Sequence, residues 1–182
     1  MTAETWLLGL IASALFIAGA WLYNRLVADR NLVRQGYADI DVQLKLRADL
    51  VPQLVEAVRA YAAYEKALLT TVTGLRTSAL AAKPAAERFD LERSLGAHLK
   101  QLVLLQENYP QLKADANFRD LSAKLVEVED HLQFARRFYN GAVKEYLTRI
   151  ESFPDVLIAR LFAFKPMPFF ETDDRDAVKV AL

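Results

Sequence analysis

The sequence predicts an all-α protein in which an N-terminal transmembrane helix is followed by an antiparallel up-and-down four-helix bundle. Three observations lead to this fold class: an uncharged apolar run near the N-terminus, apolar residues at helical spacing through most of the remaining chain, and a helix-forming composition. Glycine and proline are sparse, at six each among 182 residues, and alanine, leucine and the charged residues are plentiful. The length suffices for one domain with a core, plus an appendage.

Net charge and cysteine content exclude several function classes. Lysine and arginine together number 23, as do aspartate and glutamate, so the formal net charge is zero. A nucleic-acid-binding protein needs a basic surplus to neutralise phosphates, so nucleic acid is not expected as a partner. The chain contains no cysteine, which excludes disulfides, zinc–thiolate sites and cysteine nucleophiles.

The apolar run spans residues 6–23, WLLGLIASALFIAGAWLY, and carries no charge. As a helix it would be about 27 Å long, close to the roughly 30 Å of a bilayer hydrocarbon core. Aromatic residues favour the membrane–water interface. The predicted interface residues are Trp6 at one end and Trp21, Tyr23 and Arg25 at the other. The run therefore predicts that the chain crosses a lipid bilayer once.

Charges on either side of the run predict its orientation. Glu4 precedes it, whereas Arg25, Arg30 and Arg34 follow it. The positive-inside rule then places the C-terminal domain in the cytoplasm and a short N-terminus outside the cell (inner) membrane. The alternative is a cleaved secretory signal, because residues 18–20, Ala-Gly-Ala, resemble a cleavage site. No lysine or arginine precedes the run, and this disfavours a signal peptide.

Apolar stripes at helical spacing predict the bundle helices. The most regular stripe lies between Pro110 and Pro154 and indicates one helix of about 50 Å. Further stripes occupy residues 54–75 and 89–105, and the membrane helix is expected to continue through residues 25–50. Short connections favour antiparallel neighbours. The members of the most regular stripe are Phe118, Leu121, Leu125, Val128, Leu132, Ala135, Tyr139, Ala142, Tyr146 and Phe153.

Two features of the first bundle helix leave alternatives open. Pro52 either kinks a continuous helix or lies in the first turn of a new one, with Asp49 as its N-cap. Residues 39–47, DIDVQLKLR, alternate polar and apolar, which is typical of a strand. No second strand candidate exists to pair with them, and a lone strand is unstable, so a helix is predicted.

The predicted organisation has three parts. Residues 1–24 form a single-pass transmembrane anchor, and residues 25–165 form the helical bundle with a short C-terminal capping helix. Residues 166–182 form a proline-containing tail. Pro166 and Pro168 predict that the start of this tail is extended.

The segment SFPDVLIARLFAFKPMPFFE, residues 152–171, is too short to span a bilayer as a second helix. Pro154 is expected to end the long helix, and Asp155 or Ser152 to cap a short one. The favoured interpretation is a lid that folds back over an open end of the bundle. The alternative is contact with the cytoplasmic membrane interface, which Lys165 and the phenylalanines suit.

A candidate interaction surface combines charged and apolar residues of the first bundle helix with an arginine pair of the last. Read as a helix, residues 39–50 are apolar on two sides, which indicates either a second neighbouring helix or a surface for self-association or a protein partner. Paired arginines can receive a carboxylate or a lipid phosphate. Otherwise they lie on a solvated face or form salt bridges within the bundle. The candidate residues are Asp39, Asp41, Val42, Lys45, Leu46, Arg47, Asp49, Arg136, Arg137 and Asn140.

No catalytic residue, cofactor site or metal site is predicted. The histidines His98 and His131 have Leu95 and Val128 three residues earlier, where a di-metal bundle needs glutamate. The sequence has no glycine-rich phosphate loop and no Gly-x-Ser-x-Gly motif. The remaining support for a ligand site inside the bundle is Glu65, a polar residue on an apolar stripe.

Several strings, in order along the chain, resemble the LemA family. They are YADIDVQLKLRADLVPQLVEAVRAYAAYEK at residues 37–66, NYPQLKADANFRDLSAKL at 108–125, ARRFYNGAVKEY at 135–146 and FPDVLIARLFAFKPMPFFE at 153–171. The resemblance covers nearly the whole chain and is weaker at residues 80–100 and near the C-terminus.

The resemblance implies a single-pass bacterial membrane protein with a cytoplasmic antiparallel four-helix bundle, related in topology to bromodomain-like bundles. It implies no settled enzymatic activity and no catalytic residues. One relative takes part in magnetosome membrane formation, and others are linked to membrane proteases or to sensing. The predicted function is a non-enzymatic interaction or scaffold module that binds a protein partner or a second copy. The alternatives are a small-ligand sensor or enzyme with a site inside the bundle, and a membrane-remodelling protein.

Overall fold

The computed structural model describes residues 3–83 and 85–170. Within these ranges all regular structure is helical and no strand occurs, which confirms the all-α prediction. The predicted tail lies outside the described residues from residue 171 onward. The helices are α1 (Ala3–Tyr61), α2 (Lys66–Ala81), α3 (Ala85–Leu104), a 3-10 turn (Leu105–Glu107), α4 (Pro110–Ala114), α5 (Ala116–Glu151) and α6 (Asp155–Leu161).

Helix α1 is continuous over 59 residues, with Pro52 inside it. Pro52 therefore does not start a new helix, and Asp49 is not an N-cap. Residues 39–47 are helical, as predicted. Their alternating pattern arises because α1 is apolar on more than one side, with Leu44 buried and Leu46 exposed.

An arginine from α2 compensates for the proline in α1. Proline has no backbone N–H, so Pro52 cannot donate to the carbonyl of Ala48 four residues earlier. The Nε of Arg76 donates to that same carbonyl oxygen at 2.6 Å. The backbone acceptor that Pro52 leaves open is thus satisfied by a side chain, as a partly buried carbonyl requires.

The described chain divides into two compact units, one of residues 3–38 and 137–169 and the other of residues 39–83, 85–136 and 170. We call them unit 1 and unit 2. Unit 2 contains an apolar core to which α1, α2, α3, α4 and α5 all contribute. Its buried members are Val51, Leu54, Val55, Val58, Ala62, Leu69, Val72, Leu95, Leu99, Leu102, Leu112, Phe118, Leu121 and Leu125.

Helix α2 reverses the chain direction within unit 2. Because Arg76 meets Ala48 while α1 ends at Tyr61 and α2 begins at Lys66, α2 runs back along the end of α1. The prediction of one helix over residues 54–75 is therefore wrong. The intervening sequence AAYE has no glycine or proline, so no local signal marks the reversal.

Helix α3 follows the same direction as α1. Arg88 pairs with Asp41 at 2.6 Å, and one turn later Glu92 pairs with Arg47. Contacts that advance together along both helices indicate parallel axes. Gly96 leaves room for the Arg47 guanidinium, because a Cβ at this position would lie 3.1 Å from Nη1.

Helix α5 has 36 residues, close to the length that its apolar stripe predicts, but it begins after Asp115 rather than at Pro110. Asp115 caps it, since its Oδ1 accepts the backbone N–H of Phe118 at 2.7 Å. The hydroxyl of Tyr61 donates to the other oxygen of Asp115 at 2.9 Å. Glu129 meets Arg47 further along, so α5 runs antiparallel to α1 in unit 2.

Unit 1 pairs α1 with the C-terminal half of α5, and α6 follows. The two long helices are also antiparallel here, since Gly36 lies against Tyr139 and Asp29 pairs with Arg149 at 2.6 Å. A Cβ on Gly36 would lie 3.0 Å from the Cα of Tyr139. Glycine therefore permits the close approach of the two backbones, beside which the rings of Tyr37 and Tyr139 pack at 6.2 Å.

The start of α6 differs from the prediction. Helix α5 ends at Glu151, before Pro154, as expected. The N-cap position of α6 is Pro154, and no side chain caps it. Ser152 donates instead to the carbonyl of Thr148, so neither Ser152 nor Asp155 acts as the predicted cap.

The N-terminal part of α1 is the one stretch of the described helices that is long and apolar enough to cross a membrane, and none of that apolar window is buried. Trp6 and Trp21 are exposed. The guanidinium of Arg25 lies 5.3 Å from the ring centre of Trp21, and Tyr23 is half-buried. This part of α1 therefore needs a covering that unit 1 does not supply.

Candidate interaction surfaces

Arg47 is fully buried and does not belong to the exposed surface for which it was predicted. Its guanidinium pairs with the buried carboxylate of Glu92 and also donates to the Glu92 carbonyl at 2.9 Å. A second donor reaches the Glu129 carboxylate at 2.8 Å. Two carboxylates and a carbonyl thus compensate the desolvation of one cation, without which a buried charge is strongly unfavourable.

The positions of Arg47 and Glu92 in the sequence predict their burial, although sequence reasoning missed this signal. Arg47 falls on the same helical stripe as the buried Ile40, Leu44 and Val51. A charged residue at a core position of an amphipathic helix is a candidate for a buried ion pair. Glu92 occupies the equivalent slot of α3, three residues after the buried Phe89 and three before the buried Leu95.

The remaining predicted residues of α1 form an exposed apolar pair among charges. Val42 and Leu46 have about half of their surface exposed, so a second neighbouring helix does not bury them. Asp39, Lys45 and Asp49 are also exposed, while Asp41 is half-buried against Arg88. We call Val42, Lys45, Leu46 and Asp49 the α1 face.

The arginine pair separates into two environments. Arg136 is half-buried, with its guanidinium 4.5 Å from the ring centre of Phe170. Burial lowers the pKa of Arg136 to about 10, helped by the charge of Arg47, so the side chain stays protonated at neutral pH. Phe170 is buried against Phe89 at 4.1 Å. In unit 1, Arg137 is exposed and Asn140 is half-buried.

An exposed apolar ridge surrounds α6, in the segment for which the sequence offered contact with the membrane interface as the alternative to a buried lid. Within α6, Asp155 and Ala159 are the buried residues, and Leu157 and Leu161 lie on the opposite face. The lid interpretation required the apolar residues of α6 to be buried, and the structure leaves the largest of them outside. The α6 ridge consists of Phe153, Leu157, Leu161 and Phe162, which are 80%, 60%, 74% and 55% exposed.

The α6 ridge lies beside the end of the apolar run. The ring of Tyr23, the last residue of that run, packs against Phe162 at 4.8 Å and Phe164 at 5.9 Å. The guanidinium of Arg30 lies 5.0 Å from the ring centre of Phe164. Aromatic and cation–π contacts therefore hold the C-terminal end of α6 against α1.

Two tyrosines of α5 fix the chain that follows α6. The hydroxyl of Tyr146 donates to the carbonyl of Lys165 at 2.9 Å, and the hydroxyl of Tyr139 donates to that of Pro168 at 2.7 Å. Burial raises the pKa of Tyr139 to about 12, so this donor keeps its proton at any physiological pH. The segment after α6 is thus tied to α5 through its backbone.

The described residues contain no group of three or more histidine, aspartate or glutamate side chains placed to hold a metal ion. Glu65 lies at the N-terminus of α2, half-exposed, and accepts a hydrogen bond from the Tyr109 hydroxyl at 3.1 Å. This bond is the main reason that the pKa of Tyr109 is raised. Glu65 therefore joins two segments of unit 2 through its side chain.

Within residues 3–83 and 85–170, the helical structure, the single candidate membrane helix and the exposed apolar surfaces define a class: a membrane-associated helical protein of unresolved activity. The profile of the LemA family matches residues 36–182, most of the chain. The protein therefore belongs to the LemA family, as the sequence motifs indicated.

Two curated relatives are both magnetosome proteins of Paramagnetospirillum magneticum (strain ATCC 700264 / AMB-1), MamQ 2 and MamQ 1. Each is 29% identical over 76 residues, a segment that covers 42% of this chain and 28% of the relative. The chain thus spans little more than a quarter of the length of the relatives that it matches. Neither the family description nor the names of these relatives gives an enzymatic activity.

Proposed function

We propose that this protein is a membrane-anchored, non-enzymatic helical-bundle protein that acts as an interaction or scaffold module at the cytoplasmic face of a bacterial inner membrane. The observation that carries the proposal is α1 itself. Its apolar window has no buried residue, yet the same helix continues without a break into the buried core of unit 2. One element is therefore suited both to a bilayer and to a packed domain.

The bundle topology is part of the proposal. The contacts of unit 2 support an up-and-down arrangement, because α2 and α5 run opposite to α1 and α3 runs with it. Antiparallel neighbours with short connections are typical of four-helix bundles. The orientation rests on the positive-inside rule: Arg25, Arg30 and Arg34 follow the apolar run, and Glu4 precedes it.

The α1 face is the proposed contact with a second copy or another protein. It combines exposed Val42 and Leu46 with one lysine and one aspartate, a mixed surface of the kind found at interfaces with apolar centres and polar rims. Two relatives are named as magnetosome proteins, and this similarity supports a place at a membrane.

The test uses the full chain in its native membrane. Because the chain has no cysteine, Val42→Cys introduces a single thiol on the α1 face. We expect this thiol to form a disulfide-linked dimer, or a defined adduct with a photoactivatable cross-linker. Lys124→Cys, on an exposed part of α5, is the matched control and should give neither product. A Val42→Cys protein that stays monomeric without an adduct contradicts the scaffold role.

A further inference from the structure

The α6 ridge is an apolar surface without a covering in the described structure. Phe153, Leu157, Leu161 and Phe162 are each more than half exposed. Leu157 and Leu161 are four residues apart and lie on one face of α6, while the opposite face is buried through Ala159. Exposed apolar side chains grouped in this way mark a site of contact with a partner or a membrane.

The α6 ridge lies next to the end of the apolar run. Phe162 and Phe164 pack against Tyr23, the last residue of the uncharged run. If the run spans a bilayer, Tyr23 lies at the cytoplasmic interface, where amphipathic rings are favoured. Phe162, at one end of the ridge, is then at the depth of Tyr23, next to the surface that the run presents to lipid.

The charges around the ridge fit this position. Arg160 within α6 and Lys165 just after it are both exposed. Such residues can reach the phosphate region while neighbouring apolar side chains enter the acyl boundary, which is the arrangement of an interfacial helix. Anionic lipid on the cytoplasmic leaflet would attract both cations.

We propose that α6 lies in the plane of the cytoplasmic membrane interface as a second, non-spanning contact, with Leu157, Leu161 and Phe162 inserted among the lipid chains. This inference rests on the proposed function, because it assumes that the apolar run is the anchor. The hydrogen bonds of Tyr146 and Tyr139 to the following backbone hold the segment in place. The protein would thereby contact the bilayer through both the apolar run and α6. These two contacts would determine which side of unit 1 faces the membrane.

The test places one environment-sensitive fluorophore at a time on the full chain, reconstituted into vesicles of phosphatidylcholine and phosphatidylglycerol. Leu161→Cys carries the label on the ridge, Lys124→Cys carries it on an exposed part of α5, and Ile17→Cys carries it in the run. We expect the Leu161 label to have blue-shifted emission, to be quenched by lipids with a doxyl group near the headgroup, and to be protected from aqueous iodide. The Lys124 label should behave in the opposite way.

The outcomes separate the two proposals. If the Ile17 label is in a lipid environment and the Leu161 label is exposed to water, the proposed contact of α6 with the membrane is wrong, and the proposal that the apolar run is the anchor is retained. If the Ile17 label also reports water, the proposed function itself fails. If the Leu161 label is accessible to iodide in lipid vesicles but protected from iodide in native membranes, a protein partner covers the ridge, and the lipid contact is overturned. Because Leu161 is exposed, its replacement should not unfold the protein, and circular dichroism of each variant checks this.

Discussion

At the scale of single residues, the buried Arg47 is the most sensitive position of unit 2. Arg47→Ala removes the cation and leaves the carboxylate of Glu92 buried without its partner. We expect the free energy of unfolding to fall by about 3–5 kcal/mol, the usual cost of breaking a buried ion pair. Urea unfolding of the detergent-solubilised protein, followed by circular dichroism, measures this change.

The control for Arg47 lies two residues away. Lys45 is exposed, so Lys45→Ala should change the free energy of unfolding by less than about 0.5 kcal/mol. Equal effects of the two substitutions would mean that the buried cluster does not contribute to stability. The exposed and the buried basic residue had seemed equivalent in the sequence, because both were assigned to one charged surface.

Asp115 makes the stability of unit 2 depend on pH. The N–H of Phe118, and then the hydroxyl of Tyr61, hold the pKa of this carboxyl below its usual value. A lowered pKa in the folded state means that the ionised form stabilises the fold at neutral pH, and this contribution disappears as the pH falls below about 4. We therefore expect Asp115→Ala to lower the thermal midpoint by a few degrees at pH 7 and to have little effect in strong acid.

Asp120→Ala is the comparison for this pH effect. Asp120 is exposed and pairs with Lys124 four residues later, a contact of small energetic value. Its replacement should leave the midpoint and its pH dependence nearly unchanged. If Asp115→Ala were equally harmful at neutral and strongly acidic pH, the cap would act through packing rather than through its charge.

At the scale of elements, the Pro52–Arg76 arrangement predicts energetic coupling between α1 and α2. Arg76→Leu leaves the Ala48 carbonyl without its side-chain donor, and should cost about 1–3 kcal/mol. In a Pro52→Ala background, residue 52 regains an N–H that can donate to Ala48, so the same Arg76→Leu change should cost less. Additive effects, within about 0.5 kcal/mol in urea unfolding, would contradict this coupling.

The approach of α1 and α5 in unit 1 depends on a single glycine. A Cβ on Gly36 would lie 3.0 Å from the Tyr139 backbone, so Gly36→Ala should lower the free energy of unfolding by about 1–3 kcal/mol through overpacking. Gly141→Ala meets nothing within 4 Å and should instead raise it by up to about 1 kcal/mol, since alanine favours helix. Stabilisation by both changes would show that the contact tolerates a methyl group.

Sequence periodicity predicted the helices whose ends coincide with local signals. The stripe between Pro110 and Pro154 anticipated most of α5. Pro154 follows the end of this helix at Glu151, whereas Pro110 begins the separate helix α4 and α5 begins only after Asp115. The reversal after Tyr61 could not be predicted, since AAYE is compatible with helix and the turn is held by distant partners. One is Tyr109, which bonds Glu65, and the other is Asp115, which bonds Tyr61. Tertiary contacts of this kind cannot be recognised from the local sequence around the turn.

Surface assignment failed for a different reason. The sequence pattern placed Arg47 with its charged neighbours, although its position on the apolar stripe indicated burial. Conversely, the apolar content of α6 suggested a buried lid, whereas Leu157 and Leu161 face outward. Apolar composition alone does not distinguish a residue buried in a protein core from one that contacts a membrane, because both environments exclude water.

At the scale of the whole molecule, the proposed topology predicts opposite labelling of the two sides of the membrane. In cells with a permeabilised outer membrane, a membrane-impermeant maleimide should label Glu4→Cys. It should label Lys66→Cys only after the inner membrane is disrupted. The native chain has no cysteine and supplies an unlabelled background. The reverse pattern would invert the topology, and loss of Glu4→Cys from the mature protein would indicate a cleaved signal.

The hydrogen bond from Arg76 to the Ala48 carbonyl also has an evolutionary consequence. With a proline at position 52, the Ala48 carbonyl needs another donor, and the side chain of Arg76 supplies it. Any other residue at position 52 can supply it with its own backbone N–H. Members of the family that lack this proline are thus free to vary at the position of Arg76, and members that keep it are not. Positions 52 and 76 should therefore covary across the family, and an alignment in which they vary independently would refute this expectation.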